Sequence, residues 1–457
     1  MATSVAVPKP RTFSPARPYW IDDWRPEDAA FWENGGKTIA RRNLIFSIFS
    51  EHIGFSIWSL WAVFVLFLGK PYGFDPSQKF LLTATPAAVG ALVRLPYSFA
   101  VAKFGGRNWT IFSALLLLVP CVLAGLVLEP GVSFTTLLIV AATAGVGGGN
   151  FASSMVNIST FYPQRLKGFA LGLNAGGGNI GVAAVQLVGL LVLATAGAGH
   201  PRMILLIYIP LIALSALCAA LFMNNLSQVK NDQHALRDAA KEGHTWVLSF
   251  LYIGTFGSFI GFSFAFGQVL LVQFPETFTK PIDAAYVTFL GPLIGSLSRP
   301  AGGALADRFG GAKVTFANFV GMAMAATLVL VASLQESLPL FITGFLVLFV
   351  FAGIGNGSTY KMIPSIFAAK ARVAVAQGVD EEQATVTSRR LSGALIGIAG
   401  AVGALGGVLV NVAYRQSFLS NHNGNAAYVS FLAFYVLCFA VTWIVYLRPR
   451  PSRLVGV

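Results

Sequence analysis

Long apolar segments follow one another along most of the chain, separated by short polar loops. Each is about as long as the roughly 20 residues that a helix needs to cross the hydrocarbon core of a membrane. Lipid offers no partner for an open backbone, so such segments cross as helices. We therefore predict an all-α membrane protein with twelve transmembrane helices, at approximately 43–69, 78–102, 108–128, 133–161, 168–197, 203–223, 245–272, 282–303, 314–334, 338–368, 391–413 and 426–447.

The composition supports the same class of protein. Hydrophobic residues make up 55% of the chain and charged residues 11%, and the mean hydropathy is +0.70, which is far from the usage of soluble domains. Cys121, Cys218 and Cys438 all fall in apolar segments, where cysteine behaves as a small hydrophobic residue. The histidines are scattered, and no nucleophile lies beside a base, so we expect no enzyme, no metal and no cofactor.

The 31 lysines and arginines are unevenly divided between the two sets of loops. If both termini are cytoplasmic, 23 of them fall on the cytoplasmic side and 5 on the opposite side. This bias predicts a multi-pass protein of the cytoplasmic (inner) membrane with both termini in the cytoplasm. The net charge of +13 is spread over these loops, which argues against a nucleic-acid partner.

The polar segment 224–244 divides the predicted helices into two sets of six. We expect a cytoplasmic N-terminal segment (1–42), a first six-helix bundle (43–223), a cytoplasmic linker (224–244), a second six-helix bundle (245–447) and a cytoplasmic tail (448–457). Trp20, Trp24 and Trp32 suggest that part of the N-terminal segment lies along the membrane surface, where tryptophan is enriched.

The two predicted bundles carry the same segment twice. Arg94 and Arg299 each lie in an apolar stretch, and each is followed by Phe-Gly-Gly, at Phe104 and Phe309, with a constant offset of 205 residues. Glycines at 145, 147 and 149 match those at 353, 355 and 357 at an offset of 208 residues. Two pseudo-symmetric six-helix halves around a central site are typical of secondary transporters.

An arginine in the middle of a membrane helix is costly unless it is neutralised, by at least about 2.5–3.5 kcal/mol. Two arginines at equivalent places therefore predict a site that holds an anion. The guanidinium group is planar and permanently charged, and its fork of N–H donors suits a planar oxyanion. Taken from the residues alone, the alternative is that Arg94 and Arg299 are structural cations that bridge helices.

Several motifs together resemble those of the nitrate/nitrite porter family of the major facilitator superfamily. The resemblance extends from about Trp24 to the last predicted helix, and it implies the major facilitator fold with two pseudo-symmetric six-helix halves. It rests on Trp24-Arg-Pro-Glu-Asp28, Arg94-Leu-Pro-Tyr97, Phe104-Gly-Gly-Arg-Asn-Trp-Thr110, Phe151-Ala-Ser-Ser-Met155, Ala170-Leu-Gly-Leu-Asn174, Gly178-Asn179-Ile-Gly181, Thr255-Phe-Gly-Ser-Phe-Ile-Gly-Phe262, Gly302-Gly-Ala-Leu-Ala-Asp307-Arg308 and Ala401-Val-Gly403-Ala-Leu-Gly406-Gly407.

The resemblance also implies roles for individual residues, with nitrate and nitrite as the substrates. Arg94 and Arg299 match the family's paired arginines, which hold the anion from the two halves. The residues that match its polar and aromatic pocket wall and its second glycine-rich signature helix are Asn179, Tyr252, Phe151, Phe256, Gly403 and Gly406. Without the resemblance, the three aromatic residues could equally be core or lipid-facing side chains.

Asp307 and Arg308 lie in a segment that resembles the superfamily's cytoplasmic-loop motif. In that motif the acid latches helices together in the outward-facing state. The first half has Ala102-Lys103 at the matching place and lacks the aspartate. The resemblance therefore implies a gating role for Asp307 and Arg308 in the second half only.

Glu51 is the only acid well inside a predicted helix. It lies about 12 Å from the predicted membrane boundary and Arg94 lies at about 13 Å, counted at 1.5 Å per residue, so the two could pair. Exchange of one anion for another needs no protonatable group, whereas symport with protons does. Glu51 and its neighbour His52 therefore support proton coupling. Lys361 is a further charge within a predicted helix, and it could extend to the cytoplasmic edge.

We predict a secondary transporter of nitrate and nitrite that works by alternating access, with nitrate/nitrite antiport as the leading mechanism. The first alternative is nitrate/proton symport through Glu51. The second is transport of another inorganic anion. A channel would need a ring of charges or a continuous polar pore, which the sequence does not show. We expect a monomer whose partners are nitrate, nitrite, the lipid bilayer and, in the symport mechanism, protons.

Overall fold

The computed structural model describes residues 17–229 and 233–449. These residues contain twelve long helices, α1–α12, which confirm the predicted all-α class. Eleven of them are long and apolar enough to cross a membrane, and α8 is less apolar because it carries Arg299, Asp307 and Arg308. Their bounds are Ala29–Phe67 (α1), Pro76–Phe104 (α2), Gly106–Val127 (α3), Phe134–Phe161 (α4), Gln164–Thr195 (α5), Arg202–Phe222 (α6), Gly243–Gln273 (α7), Pro281–Thr288 with Leu290–Phe309 (α8), Gly311–Leu334 (α9), Leu338–Ala376 (α10), Glu381–Asn421 (α11) and Asn425–Leu447 (α12).

Three helices extend beyond their predicted apolar limits. The first has a short helical turn from Ala29, capped by Asp28, which accepts a hydrogen bond from the amide of Ala30 (2.9 Å). The backbone kinks at Asn34 and Gly35, and the regular helix then begins at Lys37, before residue 43. Helix α10 continues to Ala376, and α11 begins at Glu381 behind an Asp380 cap. Hydropathy marks only the part of a helix that lies in lipid, whereas the helix itself ends where its backbone groups find other partners.

The two halves repeat the same packing. Helices α1–α5, α2–α4 and α3–α6 pack together in the first half, as α7–α11, α8–α10 and α9–α12 do in the second. The halves meet where α2 packs against α11 and where α5 packs against α8. These two contacts are equivalent, because α8 and α11 are the counterparts of α2 and α5. The Phe-Gly-Gly repeats have the same backbone, because Gly105 and Gly310 both take a positive φ, +86° and +91°, that glycine adopts without strain.

The halves are in contact at the end of the bundle away from the linker, which we call the far end; the opposite end is the linker end. The hydroxyl of Thr83 in α2 donates to Asn411 in α11 (2.7 Å). One turn closer to the loop, Phe80 stacks on Tyr414 and Phe418, with ring centres 5.7 and 5.6 Å apart. These contacts close the site from the far end.

The N-terminal segment packs against the first half at the linker end. Residues Trp20–Ile21 pair as a short parallel strand with Asn225–Leu226 of the linker. Trp24 and Trp32 are buried, at 4% exposure each, and their rings contact Phe161 and Tyr162 at the end of α4. The expectation that these tryptophans lie along the membrane surface is therefore wrong for both, because protein surface covers them instead.

Candidate anion-binding site

Arg94 in α2 and Arg299 in α8 occupy equivalent places in the two halves, and both side chains are buried. Their exposed fractions are 1% and 4%. Within residues 17–229 and 233–449, no carboxylate lies within 4.0 Å of either guanidinium group. A buried cation without a counter-ion is costly. The pair is therefore suited to a bound anion that would supply the missing charge.

Arg94 is positioned by both halves of the molecule. Its Nε donates to the carbonyl oxygen of Gly148 in α4 (3.1 Å), and its Nη1 donates to the carbonyl oxygen of Gly400 in α11 (2.6 Å). The remaining Nη2 has no hydrogen-bond partner in the described part of the chain. One nitrogen of a fixed guanidinium is thus available to a ligand.

Arg299 has fewer partners than Arg94. Its Nη2 donates to the hydroxyl of Tyr252 in α7 (3.3 Å), and its guanidinium carbon lies 5.6 Å from the ring centre of Tyr360 in α10. Its Nη1 is buried and finds no partner among the described residues. Each half of the molecule therefore presents at least one buried guanidinium nitrogen without a partner among the described residues.

Aromatic rings surround both guanidinium groups. The ring centre of Phe151 in α4 lies 4.7 Å from the guanidinium carbon of Arg94 and 5.9 Å from that of Arg299. Phe256 and Trp58 also face Arg94, at 4.9 and 5.2 Å. Such cation–π contacts replace part of the hydration that the buried charges have lost, and the rings exclude bulk water from the site.

Helix α7 widens over Ile253–Gly257 into a π-helical turn, a feature that is frequent at functional sites. The wide turn separates Tyr252 from Phe256, whose rings are nearly parallel and 5.2 Å apart. Phe256 faces Phe151 of the other half with a centre distance of 6.1 Å. The turn thus presents two predicted pocket residues on one face of α7.

A small cavity with a volume of about 20 Å³ adjoins Arg94. This is room for about one ordered water, so little free space remains beside Arg94 in this conformation. The lining residues come from both halves and are Arg94, Phe151, Ala152, Met155, Val156, Tyr360, Ile396, Gly397 and Gly400.

The remaining predicted pocket residues are Asn179, Gly403 and Gly406. Asn179 in α5 is fully buried, and neither atom of its amide has a partner within the described residues. A β-carbon on Gly403 would come within 2.4 Å of the Tyr252 ring, and one on Gly406 within 2.6 Å of the Cα of Gly257. Both glycines therefore allow α11 to pack closely against α7, and Gly403 positions Tyr252.

Glu51 in α1 is fully buried and bonded to side chains of its own half. Its Oε2 accepts hydrogen bonds from the Ser154 hydroxyl in α4 and from Nδ2 of Asn174 in α5, the latter at 2.5 Å. Its Oε1 has no partner among the residues that the structure describes. Glu51 and Arg94 do not form an ion pair in this conformation, although their depths made one conceivable. The Ser154 hydroxyl also lies 3.0 Å from the carbonyl oxygen of Phe151, so Ser154 links Glu51 to the backbone of the aromatic wall.

His52 does not join this network. Its Nδ1 lies 3.2 Å from the carbonyl oxygen of Gly177 in α5. The next helical turn repeats the contact, because the Ser56 hydroxyl donates to the carbonyl oxygen of Gly181 (2.8 Å). In the structure His52 therefore belongs to the contact between α1 and α5.

Asp307 and Arg308 lie at the linker end of α8. Asp307 forms an ion pair with Nζ of Lys361 in α10 (2.7 Å), and both side chains are partly exposed. Arg308 lies over the ring of Phe309, at 5.1 Å. Lys361, which the sequence leaves unexplained, thus extends to the linker end and contacts the acid of the predicted latch.

Sequence reasoning does not identify three further contributors to the site, namely Trp58, Tyr360 and Gly400. Trp58 lies two helical turns after Glu51 on the same face of α1, and Tyr360 follows directly on the position that the repeat matches with Phe151. Both spacings are signals that could have identified these aromatic residues. Gly400 contributes only a backbone oxygen, for which the sequence contains no signal.

Comparison with known proteins places the chain in a family. The family model of the Major Facilitator Superfamily matches residues 44–411. The nitrate/nitrite transporter NarU of Salmonella typhimurium is 40% identical over 456 residues, which cover 95% of this chain and 98% of that protein. The probable nitrate/nitrite antiporter NarK2 of Thermus thermophilus is 33% identical over 463 residues, covering 96% and 99%.

The architecture is shared with a solved transporter structure. A bacterial homologue of the human lysosomal transporter Spinster, crystallised in an inward-facing and occupied conformation, matches with a TM-score of 0.61, covers 88% of this chain and 95% of its own, and is 16% identical. At that identity the likeness concerns the fold alone, and it confirms the predicted architecture. The full-length sequence relatives and the family match together show that the chain belongs to the nitrate/nitrite porter family of the major facilitator superfamily.

Proposed function

We propose that this protein carries nitrate and nitrite across the cytoplasmic membrane by alternating access, with Arg94 and Arg299 as an anion clamp. One observation carries the proposal: each half supplies a buried guanidinium that lacks a carboxylate partner within the described residues and keeps one unpartnered nitrogen. An anion held between the two would neutralise both halves at once.

Nitrate and nitrite suit this site on physical grounds. Both are flat, singly charged oxyanions whose oxygens accept hydrogen bonds, and the planar guanidinium fork matches such acceptors better than the point charge of lysine does. The ring of Phe151 contacts both arginines and would lie beside a flat anion. The relatives are named as nitrate/nitrite transporters, which supports this substrate class and agrees with the expectation that the chain is not an enzyme.

Alternating access needs two halves that can part at one end while they meet at the other. Here the halves meet at the far end through Thr83, Phe80 and their partners in α11. At the linker end, a β-carbon on Gly393 or Gly397 of α11 would meet no atom within 4 Å. If the linker end is cytoplasmic, as the positive-inside bias predicts, this conformation is closed toward the outside.

Obligatory exchange of nitrate for nitrite follows if the empty clamp cannot reorient. Two buried positive charges without an anion disfavour movement through a closed intermediate, because closure would remove their remaining hydration. A bound anion of either kind relieves this cost. The exchanger therefore needs only the two arginines and the aromatic wall, and Glu51 would be a structural residue.

Symport with protons is the second candidate, and the environment of Glu51 favours it. The carboxyl group is fully buried, one of its oxygens lacks a partner within the described part, and it interacts electrostatically with Arg299 and Arg94 without contacting them. Binding of an anion at the clamp would weaken this attraction. A proton on Glu51 would then offset the added negative charge, so that anion and proton move together.

Nitrate uptake into proteoliposomes separates these mechanisms. The vesicles contain nitrite or are empty, and uptake is measured with and without an inward proton gradient. Wild type is compared with Glu51→Gln and with Glu33→Gln, a matched control at an exposed acid of α1 that pairs with Lys37. Exchange is established if uptake requires internal nitrite and is changed neither by the proton gradient nor by Glu51→Gln.

Uptake into empty vesicles that follows the proton gradient, and that Glu51→Gln abolishes while Glu33→Gln does not, establishes symport. Absence of nitrate and nitrite flux under every condition, with reconstituted and folded wild type, would refute the proposed function altogether.

A further inference from the structure

Three cations from the two halves approach one another at the linker end of the cleft. Lys361 in α10 belongs to the second half, yet its Nζ lies 3.7 Å from the β-carbon position of Gly168 in α5 of the first half. The next residue toward the start of α5 is Lys167, and Arg389 of α11 lies near enough for the two positive charges to repel each other. Lys167, Lys361 and Arg389, which we call the mouth cations, therefore surround the same opening.

On α11, the mouth cation Arg389 lies on the same side of the helix as the residues that line the anion site. On α11, Arg389, Gly393, Gly397 and Gly400 follow one another at spacings of four, four and three residues, so they lie along one side of the helix. Gly397 and Gly400 line the cavity beside Arg94. Gly393 and Gly397 have no neighbour within 4 Å of their β-carbon positions. Open space therefore lies along this side of α11 between the cavity and Arg389, and we call it the open path.

On α10 the connection is shorter still. Lys361 follows Tyr360, which lines the cavity and faces Arg299 at 5.6 Å. The lysine is therefore the neighbour, on α10, of the tyrosine that faces the clamp.

Positive charge exceeds negative charge at this opening. Lys361 pairs with Asp307, and both side chains of this pair are partly exposed, 37% and 59%. The side chains of Lys167 and Arg389 have no hydrogen bond or ion pair to any residue within 17–229 and 233–449. Glu27 is an acid that attracts Lys167 without forming an ion pair with it. A partly exposed ion pair is weak, so an arriving anion can displace Asp307 from Lys361.

We infer that Lys361, together with Lys167 and Arg389, forms a second anion subsite at the linker-end mouth. It takes the same class of ligand as the clamp, a small monovalent oxyanion, and holds it between the clamp and bulk water. Lys361 exchanges Asp307 for the anion, and the cations on both halves raise the local anion concentration by focusing the field in the cleft. This inference rests on the proposed function, because it concerns the path of the transported anion.

The subsite is tested by measuring the KM for nitrate separately on each side of the membrane. In vesicles of uniform orientation, nitrate is varied on the linker side or on the far side while the other side is saturated. Lys361→Gln should raise the KM for nitrate on the linker side by about tenfold, the lower bound for charge focusing in clefts, and leave the far-side KM unchanged. Lys313→Gln, which removes an exposed cation at the linker end of α9, is the matched control and should change neither.

The effect should also depend on ionic strength. At about 1 M salt the screening length falls to about 3 Å, so wild type and Lys361→Gln should converge on the linker side. An unchanged linker-side KM, an equal rise on both sides, or an equal effect of Lys313→Gln would overturn the subsite.

A second measurement separates failure of the subsite from failure of the proposed function. A reporter cysteine, Gly393→Cys, is placed in the open path on a Cys218→Ser background, and its reaction rates with an anionic and a cationic thiosulfonate reagent are compared. The anionic reagent should be favoured, and Lys361→Gln should lower the ratio of the two rates several-fold. An unchanged ratio would overturn the subsite even in a protein that transports nitrate, whereas a lowered ratio in a protein without nitrate flux would refute only the proposed function.

Discussion

Replacing Arg299 by lysine is expected to weaken nitrate binding strongly while leaving the protein folded and inserted. The guanidinium uses Nη2 for the Tyr252 hydroxyl, 3.3 Å away, and keeps Nη1 without a partner among the described residues. Lysine ends in one nitrogen on a narrower head group. It cannot hold the tyrosine and also direct a second donor at the anion from a separate atom.

The size of the effect follows from the bond that is lost. A hydrogen bond to a charged group contributes about 1.5–3 kcal/mol, and about 1.4 kcal/mol corresponds to a factor of ten in affinity. Arg299→Lys should therefore raise the Kd for nitrate about 10- to 150-fold. Tyr252→Phe leaves both Nη donors of Arg299 in place and removes only the long bond (3.3 Å) that orients them. Its effect on nitrate binding is therefore indirect, about 0.5–1.5 kcal/mol, and it should raise the Kd about 2- to 10-fold.

The two substitutions should not be additive, because Tyr252 acts by orienting Arg299. Calorimetric titration of the purified protein with nitrate gives each Kd, and exchange in proteoliposomes checks that binding and flux change together. Arg202→Lys is the matched control, since Arg202 is exposed and pairs with Glu129. A Kd for Arg299→Lys within about twofold of wild type would refute the clamp. An equal effect of Tyr252→Phe in both backgrounds would refute the orienting role of the tyrosine.

Three further predictions concern the framework of the site. Gly403→Ala places a methyl group 2.4 Å from the Tyr252 ring, so overpacking of about 1–3 kcal/mol should weaken nitrate binding by calorimetry; wild-type affinity would show that the ring is not held there. Thr83→Val leaves a buried oxygen of Asn411 without its donor, at a cost of about 1–3 kcal/mol, and spin-label distances across the far end should lengthen; unchanged distances would contradict a role of this bond in closure. Trp24→Ala removes a buried side chain and should destabilise the linker end of the first half by about 3–5 kcal/mol, seen as a lower Tm; an unchanged Tm would mean that the N-terminal segment contributes little.

The membrane helices and the arginine pair could be predicted because both are readable along the chain. Hydrocarbon thickness sets the length of an apolar segment, and the 205-residue offset identifies Arg94 and Arg299 as equivalent. The surroundings of the tryptophans in the N-terminal segment were harder to predict. An amphipathic ring suits a membrane interface and a protein groove equally well, and only packing against the end of α4 shows that Trp24 and Trp32 occupy a groove.

The partners of Glu51 illustrate what spacing alone leaves open. Counting residues from the membrane boundary places Glu51 and Arg94 at a similar depth, but depth says nothing about the rotation of a helix about its axis. In the structure Glu51 faces Ser154 and Asn174, while Arg94 bonds to backbone oxygens of Gly148 and Gly400. Backbone acceptors have no sequence signature, so these contacts could not be predicted.

By itself, the sequence determined the class of protein, the number of helices, the internal duplication and the two buried positive charges. These follow from chain composition and from the cost of placing charge in lipid, which act on each segment separately. Tertiary structure alone decided which rings and carbonyl oxygens surround the arginines, that α7 opens a wide turn beside them, and that Lys361 reaches Asp307 at the linker end. Those features depend on how helices from distant parts of the chain rotate and approach one another, and glycine contacts such as Gly403 against Tyr252 show how closely they must do so.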